Sequence, residues 1–185
     1  NSNSNSNSNS RSTLPLTPIA EFRHYIKPQV HPTLTPFCTQ LTGITQQQVD
    51  QGIDFTTALC LLEQFLQTTV GLSTHHHTYS TQQQPLPFIF LTCGDWDLNV
   101  MLPEQMRLIG FHQFIPCYFR TWINVKREFS SFYGGRMCGM AGMLGKLKMP
   151  LIGRHHSGID DCRNIARVVM RMVEDGYDPM KRRRG

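Results

Sequence analysis

"RHHSGIDDCRNIARVVMRM", Arg154 to Met172, is a histidine-bearing glycine loop that runs into an amphipathic stretch. Asp161, Ile165, Val169 and Met172 recur at helical spacing and share one face. Packing against a core accounts for the apolar members. It does not account for Asp161, because an ionised carboxylate on a buried face is costly unless paired, hydrogen-bonded or bound to a cation. One explanation is local: Asp161 or Asp160 caps the helix, whose free N–H groups favour negative charge. The other is a cation held near His156, the side-chain type best suited to exchange protons near neutrality.

Working outward, this last helix should run from about Ile159 to Asp175 and stop at Gly176. "GMAGMLGKL", Gly139–Leu147, predicts a short helix loosened by its glycines. "TWINVKREF", Thr121–Phe129, reads as a strand. "FIFLTCG", Phe88–Gly94, is a continuous apolar run, as expected of a strand buried on both faces. A helix should begin near Asp97 and be disturbed at Pro103. Further upstream, Phe55, Ala58, Leu59, Leu62, Phe65 and Leu66 predict an amphipathic helix. Thr45–Gln48 has capping-box spacing and starts a short helix that Gly52 can close. Glu21–Lys27 alternates like a strand, and Pro28 stops it. Strands alternating with helices point to an α/β domain.

The composition narrows the classes. At 185 residues, 39% of them hydrophobic, the chain is one domain with tails. No apolar run is long enough to span a bilayer, and no secretory pattern opens the chain. The six cysteines form no C-x-x-C pair, so they read as buried reduced thiols of an intracellular protein, cytoplasmic and/or nuclear. The net charge of +5 sits in the tails; without Arg11 and the Lys181–Arg184 run, 13 basic residues balance 13 acids. Arg120 to Arg171 still holds ten Lys and Arg against Glu128, Asp160 and Asp161, a local excess able to attract phosphate or simply to face water. We expect a disordered low-complexity tail over residues 1–18 and a surface insertion over 71–87 containing "THHHTYSTQQQPLP". The domain itself should span 19–180, and a basic tail 181–185.

A second fragment bears on Asp161. "LTCGDWDLNVML", Leu91–Leu102, leaves a strand and enters a helix with Asp97 at the junction. Ligands of α/β sheets sit at such strand ends. Two aspartates from distant segments and a loop histidine suggest a site for a divalent cation, with histidine as general base.

"HHSGIDDCRNIARVVMRMVEDG" resembles the third motif of the DEDDh 3′–5′ exonucleases, most closely the three-prime histone exonuclease and enhanced-RNA-interference exoribonuclease branch. "EFRHYIKPQVHPTLTPFCTQLTGITQQQVDQGIDF" and "WINVKREFSSFYG" are similar to the same branch, so the likeness covers about Phe22 to Gly176. It implies a ribonuclease H-like α/β fold and hydrolysis of single-stranded RNA from its 3′ end. By position it makes Asp97 and Asp161 metal ligands and His156 the general base. Leu41, Thr42, Gly43 and Ile44 would receive the 3′-terminal nucleotide. The implied cofactor is Mg²⁺ or Mn²⁺, two ions in a complete family site. Asp95, His155 and Asp160 are neighbours rather than members. Trp96, Trp122 and Phe119 could stack on bases, although core packing is the simpler expectation for all three.

The chain departs from the family pattern at one point. The family carries an Asp-x-Glu pair on its central strand, and this chain has none before Asp97. Glu21 matches the family's third strand and is a poor substitute. The first two strands of the mixed sheet are therefore expected to be missing, as in a fragment or a faulty gene model with those strands upstream of Asn1. Two functions follow: an exoribonuclease, or a catalytically inactive exonuclease-like module that binds RNA or protein. An unrelated α/β phosphoesterase does not explain the long matched stretches.

Overall fold

The computed structural model describes residues 15–71 and 88–179. In chain order its elements are helices α1 (Pro36–Thr42), α2 (Gln46–Asp50) and α3 (Phe55–Val70), then strand β1 (Phe90–Thr92). Helix α4 (Leu102–Leu108), strand β2 (Trp122–Asn124) and helices α5 (Val125–Tyr133), α6 (Met140–Lys146) and α7 (Gly158–Glu174) follow. The expected tail, the histidine- and glutamine-rich insertion and the basic terminus lie outside the described residues, apart from residues 15–18 and 71. Among the described residues no helix is long and apolar enough to cross a membrane.

Local chemistry sets most boundaries. The Thr45 hydroxyl and Gln48 amide form the expected reciprocal capping box at the start of α2. α1 was not foreseen, although its signals are present: Thr35 accepts the Cys38 N–H, Pro36 starts the first turn, and Gly43 ends it in the left-handed region. Pro103 does not end the helix: the chain is already helical at Met101, and the winding widens just upstream, where the Leu102 N–H bonds the Asp97 carbonyl five residues back. The disturbance lies earlier, in a π-helical turn over Asp97–Met101. This wider winding at a segment that carries a candidate ligand fits the habit of π-turns to occur at functional sites.

The strands are shorter than expected. β1 pairs in parallel with β2, Phe90 opposite Trp122 and Thr92 opposite Asn124, and these two form the sheet among the described residues. Thr121–Phe129 is not one strand: Asn124 accepts the Lys126 N–H through its side chain, capping α5 and turning the chain into a helix. Glu21–Lys27 contributes only a bridge between Ile26 and Ile53, because two backbone hydrogen bonds are made before Pro28 ends the pairing. The expected strand is not buried on both faces either: on the face that carries Ile89, Leu91 and Cys93 only Cys93 packs on a core cluster, and Ile89 and Leu91 are 42% and 39% exposed.

Two apolar clusters flank this pair. One joins α5, α6 and α7 through Val125, Phe129, Met143, Leu144, Val168 and Met172. The other joins α3, α4 and the Cys117–Phe119 turn through Leu66, Leu102, Met106, Tyr118 and Phe119, with the Phe90 ring stacked on Phe119 at 5.2 Å. Phe90 packs on the second cluster and Cys93 on the first, so the carboxyl end of β1 lies at their seam. The six cysteines are all free, but none is buried: three are exposed and three half-buried, a correction to the expectation from their apolar neighbours.

Candidate functional site

The loop before α7 is fixed from below by Asn164. This side chain is wholly buried; its amide donates to the carbonyls of Ile152 and Asp160 at 2.7 Å and accepts the Ile152 N–H at 3.1 Å. Sequence reasoning missed Asn164, although it lies on the apolar stripe between Asp161 and Val168. Gly153, at φ +77°, permits the close approach of Asp160, whose carboxylate would stand 2.5–2.8 Å from a Cβ at that position.

The two aspartates then separate in role. Both are in the first turn of α7, and the cap residue Ser157 makes no side-chain cap bond. Asp160 accepts the Arg154 N–H at 3.1 Å and bonds Arg163 at 3.2 Å. The Arg154 N–H, then the Ser157 hydroxyl, holds this carboxyl below its ordinary value. Asp161 makes one long contact to the loop, accepting the His156 N–H at 3.3 Å. Capping in its usual form therefore explains neither residue, and Asp160 is the structural one.

His156 takes a left-handed backbone, φ +68°, uncommon for a non-glycine residue. That turn stacks its ring on His155 at 3.9 Å, and ligand atoms of His155, His156 and Asp161 all lie within 4.8 Å of one another. Arg154 points the other way. Its guanidinium donates to the Gln40 carbonyl and lies on Gly43, where a Cβ would stand 3.0 Å from it. The Leu41–Ile44 turn is thereby docked beside the histidine loop. Within the turn Thr42 donates to the Cys38 carbonyl and accepts the Ile44 N–H, and Leu41 stays exposed.

Asp97 reaches the same region from β1. Cys162 is exposed as a residue, yet its sulfur is partly desolvated by its neighbours, which pushes the thiol up, and the negative charges of Asp161 and then Asp97 add to the rise. Burial likewise raises Cys93; Lys126 opposes this, and Asp97 and Asp161 again reinforce it. Both carboxylates thus act on the same two thiols. Among the described residues the group whose possible ligand atoms lie within 4.8 Å of one another is His155, His156 and Asp161, and Asp97 stands outside it. Asp97 is exposed and Asp161 half-buried, and their carboxylate oxygens are of the hard type that a divalent cation retaining waters takes. The remaining acids are committed elsewhere. Asp95 accepts Trp122 Nε1 at 3.0 Å and Arg127 at 2.6 Å. Glu21 is clasped by Arg163 through two bonds of 2.7 Å.

The basic stretch is partly consumed in the same way. Arg127, Lys146, Arg154, Arg163, Arg167 and Arg171 all make internal bonds, which favours the structural side of that expectation for more than half the run. Lys126 remains near the site, against Gly94. Of the three aromatics, Phe119 packs in a core and Trp122 is half-buried, as core packing requires. Trp96 departs from it: its ring is 64% exposed, one residue before Asp97.

Comparison with known proteins places this geometry. The exonuclease family model matches residues 9–169. ERI1 exoribonuclease 3 of Homo sapiens is 39% identical over 160 residues, covering 84% of this chain and 43% of that protein. The 3′–5′ exonuclease Snipper of Drosophila melanogaster is 33% identical over 158 residues, covering 85% of this chain and 56% of its own. The chain thus spans about half the length of these relatives or less. Among solved structures, the nuclease domain of 3′hExo, a DEDDh family member bound to rAMP, superposes with a TM-score of 0.72 at 34% identity. That match covers 84% of this chain and 72% of the other. A 3′-exonuclease solved in recognition of the histone mRNA stem-loop gives 0.70 at 32% identity, over 84% and 64%. The fold is the ribonuclease H-like α/β fold of these nucleases, with a short parallel sheet among the described residues. The chain belongs to the exonuclease family, in the DEDDh branch alongside the ERI1-type exoribonucleases.

Proposed function

We propose that this chain forms the RNA-end-binding and proton-transfer side of a 3′–5′ exoribonuclease acting on single-stranded RNA. The observation that carries this reading is the docking of the Leu41–Ile44 turn on the His156–Asp161 loop through Arg154, with Asp97 near enough for its charge to reach the same thiols as that of Asp161. Asp97 and Asp161 would hold the divalent metal, Mg²⁺ or Mn²⁺, which would supply positive charge to offset that of the phosphate.

The chain's own residues do the rest. Leu41 to Ile44 seat the terminal nucleotide, and the exposed Trp96 ring offers a stacking face for a base. His156 takes the proton of the attacking water. The water oxygen bonds to phosphorus, the bond from phosphorus to the preceding 3′-oxygen breaks, that oxygen takes a proton from solvent, and His156 returns its own to solvent. The products are a nucleoside 5′-monophosphate and an RNA one residue shorter. An intracellular setting, cytoplasmic or nuclear, belongs to the same reading.

One observation favours a second reading, an inactive module that binds RNA or protein. No Asp-x-Glu precedes Asp97, so two of the family's four metal carboxylates have no counterpart in this chain. A single assay separates the two. The purified chain is incubated with 3′-labelled single-stranded RNA and Mg²⁺, beside Asp161→Asn and His156→Ala. Release of labelled mononucleotide that vanishes with Asp161→Asn and falls about 10²- to 10⁴-fold with His156→Ala supports the enzyme. RNA retention without release supports the module, and absence of both would discard the RNA reading.

A further inference from the structure

The geometry points to a second class of metal at the same loop: a transition-metal site for Zn²⁺ formed by His155, His156 and Asp161. His155 has no part in the hydrolysis proposed above, yet its ring lies parallel to that of His156 at 3.9 Å, with an interplanar angle of 18°. Potential ligand atoms of the two imidazoles and the Asp161 carboxylate lie within 4.8 Å of one another. On tetrahedral zinc such atoms lie about 3.3 Å apart, given bonds of about 2.0 Å. Parallel rings direct their nitrogen lone pairs side by side, so binding requires the two imidazoles to splay as well as close; both are exposed on a loop, with solvent on which to turn.

The backbone is already arranged for it. The left-handed turn at His156 puts consecutive side chains on the same side, where an extended segment would send them to opposite faces. Asn164, Gly153 and Asp160 hold that turn from beneath without using His155, His156 or Asp161 Oδ2. Arg154, the nearest cation in sequence, is drawn away to Gln40 and Gly43.

The donor set selects the metal. Two imidazoles and one carboxylate suit Zn²⁺, Co²⁺ or Ni²⁺, and three protein ligands leave a position for water. Mg²⁺ prefers oxygen ligands and gains nothing from His155. The two metals therefore compete for Asp161, and zinc also occupies the imidazole assigned to proton transfer. The site acts as an inhibitory switch on trimming. Its binding step stands apart from the nuclease reading; only the inhibition rests on it.

Binding is tested with Zn²⁺ by calorimetry and with Co²⁺ by visible absorption. The full chain carries His75→Ser, His76→Ser and His77→Ser throughout, since that run of histidines can itself bind zinc. One Zn²⁺ per chain is expected, with a tetrahedral Co²⁺ spectrum. His155→Ala and Asp161→Asn should each weaken Zn²⁺ by at least about tenfold, because even loss of a residue that merely supports a ligand costs about 10- to 100-fold. Unchanged affinity in either variant, or no stoichiometric binding, overturns the site. In the RNA assay, Zn²⁺ should suppress Mg²⁺-dependent release in the parent and much less in His155→Ala. If the parent releases no nucleotide, the nuclease reading fails while the binding result still decides the zinc site. Equal suppression in parent and His155→Ala overturns the switch.

Discussion

An aspartate at the start of a helix is either part of the scaffold or available for chemistry, and its partners decide which. Asp160 is fully engaged, by the Arg154 N–H, by Arg163 and by the Ser157 hydroxyl. Asp161 keeps one long contact and casts its charge onto Cys162 and Cys93. Cys162 is therefore a reporter for the convergence of the two acids. Desolvation of its sulfur raises its thiol and Asp161 and Asp97 raise it further, so less thiolate exists at a given pH than for an ordinary cysteine. Removing either negative charge lowers the thiol, increases the thiolate fraction and speeds alkylation. At pH 8, iodoacetamide labelling of Cys162 followed by peptide mass spectrometry should be faster in Asp161→Asn than in Asp97→Asn, and slowest in the parent. The exposed Cys60 and Cys117 serve as internal controls. Identical rates in all three proteins would separate Asp97 from Asp161 and remove the basis of a shared cation. Asp161 was legible in the sequence because an acid on an apolar stripe has few explanations. The exposure of Trp96 was not, since tryptophan is buried or exposed according to what packs over it, which no local pattern records.

At the scale of elements, the site depends on how α7 holds the loop before it, and Asn164 is the hinge pin of that contact. It replaces a turn of secondary structure by bonding both the N–H and the carbonyl of Ile152. Asn164→Ala removes both bonds to Ile152, which is itself exposed, so water replaces part of what is lost and the cost is about 0.5–1.5 kcal/mol each. We expect urea unfolding to show a loss of about 2 kcal/mol, with Zn²⁺ and RNA binding weakened together. A stable variant that keeps both would show that the loop is set by other contacts. Helices α2, α3, α6 and α7 were readable because capping residues and a 3.6-residue apolar period are local signals. Strand lengths were not. Trp122–Asn124 and the start of α5 share one apolar-rich run, and only the Asn124 cap marks where the period changes. The single bridge at Ile26 shows the same limit: alternation announces a strand, but a partner must be present for it to extend.

On the scale of the whole molecule, two cores meet along a sheet of two paired strands, and the outer side of that sheet is the exposed consequence. In the parallel register Leu91 lies opposite Ile123, and Ile89 and Leu91 project from the same face of β1, both substantially exposed. Among the described residues β1 pairs only with β2. An apolar strand with an unpaired edge is a template for another chain. The chain on its own should therefore self-associate as its concentration rises, seen as a concentration-dependent sedimentation coefficient. Leu91→Lys puts an ammonium on that face and should weaken association by at least about tenfold, because an unpaired charge resists burial in an interface. It should leave the α5–α7 core intact, since Leu91 belongs to neither apolar cluster. Thermal unfolding of Leu91→Lys near that of the parent, with reduced association, assigns the contact to this face. A parent that stays monomeric at high concentration, or a variant that associates as strongly, rules the face out as the point of contact.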